Sequence, residues 1–176
     1  LDFWNAWFSR YEDYGAFNRS FWDHEMSFRA PVSTPTVETF ESGDFSAFAW
    51  ERITPLWTIV PGVGRQGSFC AKAGTVGNGQ NTKLEVTMDC DDGYICFWVK
   101  TSSEQPWDVL RFFIDGTRKN EWSGETDWQR VSFPVACGKR KFTWTYIKDG
   151  SGSQGADTAW IDDIEFPRWE TGTSGE

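Results

Sequence analysis

The residues with the clearest capacity for chemistry are the tryptophans, of which the chain has 12 among 176 residues. An exposed indole offers a flat apolar platform that stacks on the C–H face of a sugar, while its rim forms hydrogen bonds. Strand alternation puts Trp98 opposite Phe97 and Val99, and therefore on an outward face. Twelve tryptophans cannot all bind ligand, and we expect most of them to be buried. The candidate glycan-binding residues are Trp98, Trp107 in the SEQPWD loop, and Trp122 and Trp128, which bracket SGETD.

The same sequence lacks a recognisable catalytic constellation. Its single histidine, His24, lies in the N-terminal region, so a Ser-His-Asp or Cys-His arrangement would depend on that residue alone. No HExxH, P-loop or GxSxG motif occurs. A glycosidase needs two facing carboxylates, but after Glu125 and Asp127 the third acid of an E-x-D-x-x-E pattern is replaced by Arg130. We therefore predict that the protein is not an enzyme.

The charge of the chain narrows the choice of partners. A net charge of −9 and a pI near 4.6 would repel a phosphate backbone or an anionic membrane surface, so we expect no nucleic acid partner. No apolar run approaches the roughly 20 residues of a membrane-spanning helix, so we expect no membrane insertion. Neutral glycans, cations and basic proteins remain open as partners.

Four cysteines, Cys70, Cys90, Cys96 and Cys137, leave the redox state of the chain open. Their spacing does not match a CxxC…CxxC zinc site, and one histidine cannot complete one. An even count permits two disulfides with three connectivities, of which Cys90–Cys96 with Cys70–Cys137 is our choice. The alternative is four buried thiols in strands.

The chain divides into three regions. Residues 1–35 form an aromatic-rich arm, or the end of a preceding domain, followed by the Pro/Ser/Thr linker RAPVSTPT. Within the arm, Trp4, Trp7, Phe8 and Tyr11 have the spacing of an amphipathic helix. Residues 36–167 form the main module, and residues 168–176 form a polar linker or tail. The N-terminus does not look like a signal peptide and lacks an initiator Met, so we expect a piece of a longer protein.

Between the arm and the tail, short apolar or alternating runs separated by turn residues predict β-strands. Leu84, Val86 and Met88 alternate with polar residues, which indicates one buried and one wet face. The segment IDGTRKN is expected to be a turn, and no crossover helix supports a parallel sheet. The pattern predicts an all-β fold, an antiparallel two-sheet β-sandwich with an N-terminal arm. The predicted strands are VETFE, AWERI, WTIV, SFCAKAG, KLEVTMD, YICFWVK, DVLRFFID, WQRVSFPV, KFTWTYIK and AWIDDIEF.

Three segments carry a resemblance to a known class of module. GYICFWVKTSSEQPWDVLRFFIDG, WSGETDW and KFTWTYIKDGSGSQGADTAWIDDIEFP together resemble bacterial extracellular jelly-roll modules over residues 36–167. These include the cleaved-adhesin domains of gingipain-type proteases, MAM domains and jelly-roll carbohydrate-binding modules. The resemblance implies one sheet containing YICFWVK, DVLRFFID and KFTWTYIK. It implies a second sheet containing KLEVTMD, WQRVSFPV and AWIDDIEF.

The resemblance also implies a structural calcium ion held by Glu41, near the first strand, and Asp162, in the last one. In that strand Asp162 shares the parity of Trp160, Ile164 and Phe166, which should be the core face. A carboxylate buried there needs a partner. Calcium takes six to eight hard oxygens, and Asp44 together with backbone carbonyls could complete the set. The alternative is a surface strand end whose acids cap amides or pair with Lys or Arg.

We therefore expect a non-catalytic binding module of a secreted or surface bacterial protein, located outside the cell. Its expected partner is a neutral polysaccharide or a glycoprotein glycan, with structural Ca²⁺ as the cofactor. A neighbouring catalytic domain of the same polypeptide is a further expected partner. The alternative function is a protein-binding adhesin, or an accessory module that stabilises a secreted protease or hydrolase. The acidic GSGSQGAD loop is a further candidate for a cation contact.

Overall fold

The computed structural model describes residues 34–170, which fold into eleven β-strands with no helix among them. The predicted all-β two-sheet sandwich is therefore confirmed. Residues 1–33, which include the expected helix of the arm and His24, lie outside the described residues. No helix able to span a membrane occurs between residues 34 and 170. The strands are β1 (Thr34–Glu38), β2 (Glu51–Ile53), β3 (Thr58–Pro61), β4 (Phe69–Lys72), β5 (Asn81–Cys90), β6 (Gly93–Ser102), β7 (Val109–Ile114), β8 (Thr117–Trp122), β9 (Gln129–Val135), β10 (Gly138–Ile147) and β11 (Thr158–Glu170).

Two antiparallel sheets form the sandwich. The first sheet has the order β3-β4-β11-β6-β9, and the second has the order β2-β5-β10-β7-β8. β11 pairs with β6 along one edge, and with 13 residues it is long enough to take two further partners. These are β4, opposite Trp160 and Ile161, and β1, from Ile164 to Glu170. This long strand therefore organises the first sheet.

Alternation along the strands builds the core between the sheets. Phe97 of the first sheet meets Phe112 of the second edge to face, with 4.9 Å between ring centroids. Aromatic pairs of this kind contribute about 0.5–1.5 kcal/mol beyond their burial. The central strand β10 and its neighbour β5 both contribute buried side chains at alternating positions, as predicted for β5: Phe142, Trp144 and Tyr146, and Leu84, Val86 and Met88.

Two details of the predicted sheets are wrong. β5 and β6 are exchanged: β6 pairs with β9 and β11 in the first sheet, whereas β5 pairs with β10 and β2 in the second. Both strands alternate over ten residues, so the pattern fixed which face is buried but not which strand lies alongside. The expected turn IDGTRKN also contains most of strand β8, whose residues are polar because five of the six are exposed.

All four cysteines are free thiols, so the chosen disulfides are not formed. Cys90 packs into the core, whereas the Cys96 thiol lies on the other side of the first sheet, 3.3 Å from the Ser132 hydroxyl. Cys70 is buried, and Cys137 is exposed. The alternative of buried thiols in strands is therefore correct for Cys70, Cys90 and Cys96 and wrong for Cys137, which is exposed between β9 and β10.

Candidate functional site

The side of the first sheet that faces away from the core carries Trp98 and Asp162, two of the predicted site residues. Ala71, Val99 and Ile161 point into the core, so alternation sends their neighbours outward. The register then places Lys72 and Lys100 on either side of Trp160, and Trp98 directly beside Asp162. We call this surface the outer face. Its residues are Cys70 and Lys72 of β4, Trp98 and Lys100 of β6, Trp160 and Asp162 of β11, and Arg130 of β9.

The loop between β3 and β4, residues 62–68, crosses this outer face. The backbone N–H of Arg65 donates to Asp162 Oδ2 at 2.6 Å, and the Arg65 guanidinium stacks 4.1 Å from the centroid of the Trp98 ring. Farther along the face, the indole N–H of Trp128 donates to the Val63 carbonyl at 3.2 Å. The loop is thus fastened to β11, to β6 and to the residue that precedes β9.

Asp162 is fully buried, but not where the sequence placed it. The pairing of β11 with β6 shifts register between Asp162 and Glu165, and Asp163 there has a φ of 46°. This bulge changes the parity of the strand, so Ile161 faces the core before it and Ile164 after it. Asp162 therefore lies on the outer face, beneath the loop 62–68, and the expectation that it shares the core face is wrong.

Glu41 anchors the other end of the same loop. Its Oε1 accepts the backbone N–H groups of Ser68, at 3.0 Å, and Phe69, at 2.9 Å. Gly67 makes room for this carboxylate, because a Cβ at that position would lie 2.5 Å from Glu41 Cδ, and its φ of +80° also favours glycine. Glu41 and Asp162 therefore hold the two halves of one loop.

The hydrogen bonds of Asp44, the third predicted calcium ligand, lie within its own turn. Its Oδ1 accepts hydrogen bonds from the Ser46 amide, at 2.9 Å, and from the Ser42 hydroxyl, at 3.1 Å. Hydrogen bonds from Ser46 and Ser42 hold the pKa of Asp44 below its usual value. The Asp44 carboxylate is thus occupied within its own exposed turn.

The charge around Asp162 is not neutralised by an ion pair. Burial raises the pKa of Asp162 to about 7, the carboxylates of Asp163 and Glu41 push it upward as well, and N–H donation from Arg65 and Asp163 opposes the rise. No ion pair joins Asp162 or Glu41 to a residue in the described part of the chain.

Two hard carboxylates at one loop are oxygen ligands of the kind that calcium binds. Residues 34–170 contain no cluster of three or more acidic, His or Cys side chains suited to a metal, so backbone carbonyls would have to supply the remaining ligands.

The four predicted glycan-binding tryptophans have different surroundings. Trp107 is 59% exposed, on a loop in which the Trp107 and Asp108 amides both donate to the Glu104 carbonyl. Trp98 and Trp128 are half-buried under or beside the loop 62–68. Trp122 is 92% buried against Phe97 and Phe133, so it lacks the free ring face that the prediction required. Trp122 is the last residue of β8, a strand most of which was predicted to be a turn.

A buried ion cluster at the loop end of the sandwich was not predicted. The Lys148 side chain is 1% exposed, and its ammonium pairs with Asp157 and, at 3.3 Å, with the fully buried Asp108. The Tyr146 hydroxyl donates to the other Asp157 oxygen at 3.1 Å. Asp157 belongs to the GSGSQGAD loop, and its carboxylate pairs with the protein's own Lys148. Lys148 continues the buried parity of Trp144 and Tyr146, and that parity could have revealed it.

Two stacked antiparallel sheets in this strand order define a β-sandwich of the jelly-roll class. No protein family model and no curated protein matches the sequence. Solved structures do match, and those compared below, at 13–17% sequence identity, show the fold alone. They include adhesin and carbohydrate-binding modules, which confirms the resemblance stated from the sequence.

Three of these structures illustrate the range. The K1 cleaved-adhesin domain of Lys-gingipain from Porphyromonas gingivalis matches with a TM-score of 0.58 at 13% identity, covering 77% of this chain and 98% of that one. The carbohydrate-binding module TmCBM61, in complex with β-1,4-galactotriose, matches with a TM-score of 0.50 at 17% identity, covering 74% and 94%. The secreted serine protease VesC from Vibrio cholerae matches with 0.52 at 14% identity. That match covers 66% of this chain, but the chain spans only 25% of VesC.

Proposed function

We propose that the protein is a non-catalytic, glycan-binding module of a secreted or surface bacterial protein. The observation that carries the proposal is the exposed Trp107 ring, which lies on a loop anchored by a buried residue. Asp108, the next residue, is fully buried, accepts the Asp149 amide at 3.0 Å and pairs with Lys148. A rigid aromatic platform loses little freedom when a ligand stacks on it. Because the fold hosts many functions, this site, and not the fold, supports glycan binding.

A binding titration tests the platform. One or two stacked rings imply dissociation constants between about 1 mM and 1 μM. We expect Trp107→Ala to abolish binding of a soluble polysaccharide while leaving the melting temperature within about 2 °C, because an exposed side chain contributes little to stability. Trp fluorescence during titration with β-galactans, xylans and glucans measures binding by the parent protein and by the variant. Unchanged binding by Trp107→Ala would contradict the platform.

We also propose that a structural calcium ion is held by Glu41 and Asp162 at the base of the loop 62–68. Support comes from the buried Asp162 carboxylate, which has no ion-pair partner among the described residues, and from the second carboxylate on the same loop. The bound ion would supply the missing countercharge and fix the loop across the outer face. Each carboxylate already accepts backbone amides, which sets its orientation.

Thermal melting with and without Ca²⁺ tests this site. An ion that binds only the folded state at 100 times its dissociation constant stabilises it by about 2.7 kcal/mol. Glu41→Gln and Asp162→Asn are expected to remove most of that response. Asp44→Asn is the matched control and should retain it, because Asp44 is occupied in its own turn. If metal-free protein melts at the same temperature with and without Ca²⁺, the site does not exist.

A second function, a protein-binding adhesin or an accessory module of a secreted protease or hydrolase, is favoured by two of the structural similarities. One similar structure is a cleaved-adhesin domain of Lys-gingipain, and another is the secreted protease VesC, of which this chain spans a quarter. This alternative replaces glycan binding if no polysaccharide in a broad array is retained.

A further inference from the structure

Arg65 displays a guanidinium whose hydrogen-bond donors are unused. Its side chain stacks 4.1 Å from the Trp98 ring centroid, yet it forms no side-chain hydrogen bond or ion pair with any residue from 34 to 170. Its backbone is held by the Asp162 carboxylate at 2.6 Å. Arginine carries five N–H donors in a rigid planar fork. The half-buried guanidinium is held in place by the Trp98 ring and by its own backbone, and it is therefore preorganised to bind a hydrogen-bond acceptor.

Other cations lie on the same outer face. Lys72 and Lys100 flank Trp160, and the Lys100 ammonium is 5.9 Å from the centroid of that ring. Lys72 has no ion pair in the described part of the chain. Lys100 lies 3.8 Å from Asp127, whose side chain is 92% exposed, so this pair is weak. The outer face thus carries a group of cations on a chain with a net charge of −9.

The carboxylates of this region leave those donors free. Asp162 is buried, and its two oxygens accept the amides of Arg65 and Asp163. Glu165 is taken by Arg130, with both of its oxygens within 3.0 Å of Nη2. Burial raises the pKa of Asp163, and the nearby positive charge of Arg65 opposes that rise, but the two side chains form no ion pair. No acidic side chain of the described residues therefore engages the Arg65 fork.

We propose that Arg65, stacked on Trp98 with Lys72 and Lys100 nearby, binds the carboxylate of an acidic sugar. The inference rests on the proposed function in taking a glycan as the ligand, and it names a uronic acid where the sequence predicted a neutral polysaccharide. The planar fork matches a carboxylate with two parallel hydrogen bonds. The negative charge of the chain does not prevent this, because at about 0.15 M salt charges more than about 8 Å away are largely screened.

Calorimetric titration with an oligogalacturonate, and with the same oligosaccharide after reduction of its carboxyl groups, tests the proposal. The parent protein should bind the acidic form at least about tenfold more tightly, since charge-assisted hydrogen bonds are roughly twice as strong as those between neutral groups. Arg65→Gln should weaken binding of the acidic form about tenfold or more and leave binding of the reduced form unchanged. Arg65→Lys should retain part of the affinity, because it keeps the charge but loses the fork.

Arg118→Gln is the matched control, since it removes the same charge from a strand of the second sheet, where Arg118 pairs with Glu121. It should bind both ligands within about twofold of the parent, and melting curves show that each variant is folded. Equal affinity of the parent for the two forms, or an Arg65→Gln variant that binds the acidic form as well as the parent does, overturns the proposal. If only neutral glycans bind, and Trp107→Ala abolishes that binding, the inference fails while the proposed function stands. If no glycan binds, both fail.

Discussion

Replacing Lys148 with methionine should destabilise the sandwich strongly, although the two side chains are similar in length. The Lys148 ammonium pairs with Asp108 and Asp157, and it donates to the Ser153 hydroxyl at 2.7 Å. The Lys148 and Asp108 side chains are 1% and 0% exposed, so water cannot replace the lost charge. The substitution leaves the Asp108 carboxylate buried without a cation. Breaking a buried pair in this way costs about 3–5 kcal/mol.

The expected loss is a large share of the total stability, which for a domain is about 5–15 kcal/mol. At about 2–4 °C per kcal/mol for a chain of this length, the melting temperature should fall by about 10 °C. Thermal and urea unfolding, followed by circular dichroism, measure the change. Two-state behaviour should be checked by comparing circular dichroism with Trp fluorescence as probes of the same unfolding transition.

A second substitution separates the buried charge from the lost packing. Asp108→Asn in the Lys148→Met background removes the charge but keeps an acceptor for the Asp149 amide, so it should recover part of the stability. Lys119→Met, on the exposed strand β8, should change stability by less than about 0.5 kcal/mol. A Lys148→Met protein within about 1 kcal/mol of the parent would refute the reasoning.

Three further outcomes can be measured. Trp122→Ala should cost about 3–5 kcal/mol in urea unfolding because the ring is core, and a loss below about 1 kcal/mol would contradict that placement. In a thiol titration of the native protein Cys137 should react first, because it is exposed while burial raises the pKa of Cys70 to about 12; fast labelling of more than one thiol would disagree. Partial burial raises the pKa of Asp157, but hydrogen bonds from Lys148 and Tyr146 outweigh it and hold the pKa below its usual value. Asp157 therefore contributes stability above about pH 4, and this contribution is lost as the pH falls through the folded-state pKa. In an acid titration, the loss of stability should be smaller for Lys148→Met than for the parent protein.

The sequence predicted the faces of the strands better than their partners. Alternation in β5 correctly identified Leu84, Val86 and Met88 as core, because a period of two is a local property. Which strand lies beside β5 depends on contacts with β10, whose residues are 48 (Gly138 and Cys90) to 66 (Ile147 and Asn81) positions from their partners in the chain. Nothing in the local pattern of β5 or β6 identifies its neighbours, and for this reason the prediction assigned the two strands to each other's sheets.

The site shows the same division between local and distant information. Asp162 was correctly expected to be buried, but the bulge at Asp163 places it on the outer face. A bulge shifts the register by one residue, and the alternation of side chains along a strand does not reveal where such a shift occurs. The stacking of Arg65 on Trp98 could not be foreseen. It depends on a loop whose anchor, Asp162, is 97 residues away.

The pairing of β1 with β11 has a mechanical consequence. Thr34, the first residue of β1, pairs with Glu170, the last residue of β11, so the chain enters and leaves the sandwich at one end of a single ladder. Interstrand hydrogen bonds in antiparallel pairs run perpendicular to the strands. Tension that separates Thr34 from Glu170 therefore loads these bonds one after another, as in opening a zipper, and not all together as in shear. A polypeptide stretched through this module would peel β1 away at low force before the remaining strands of the sandwich bear the load.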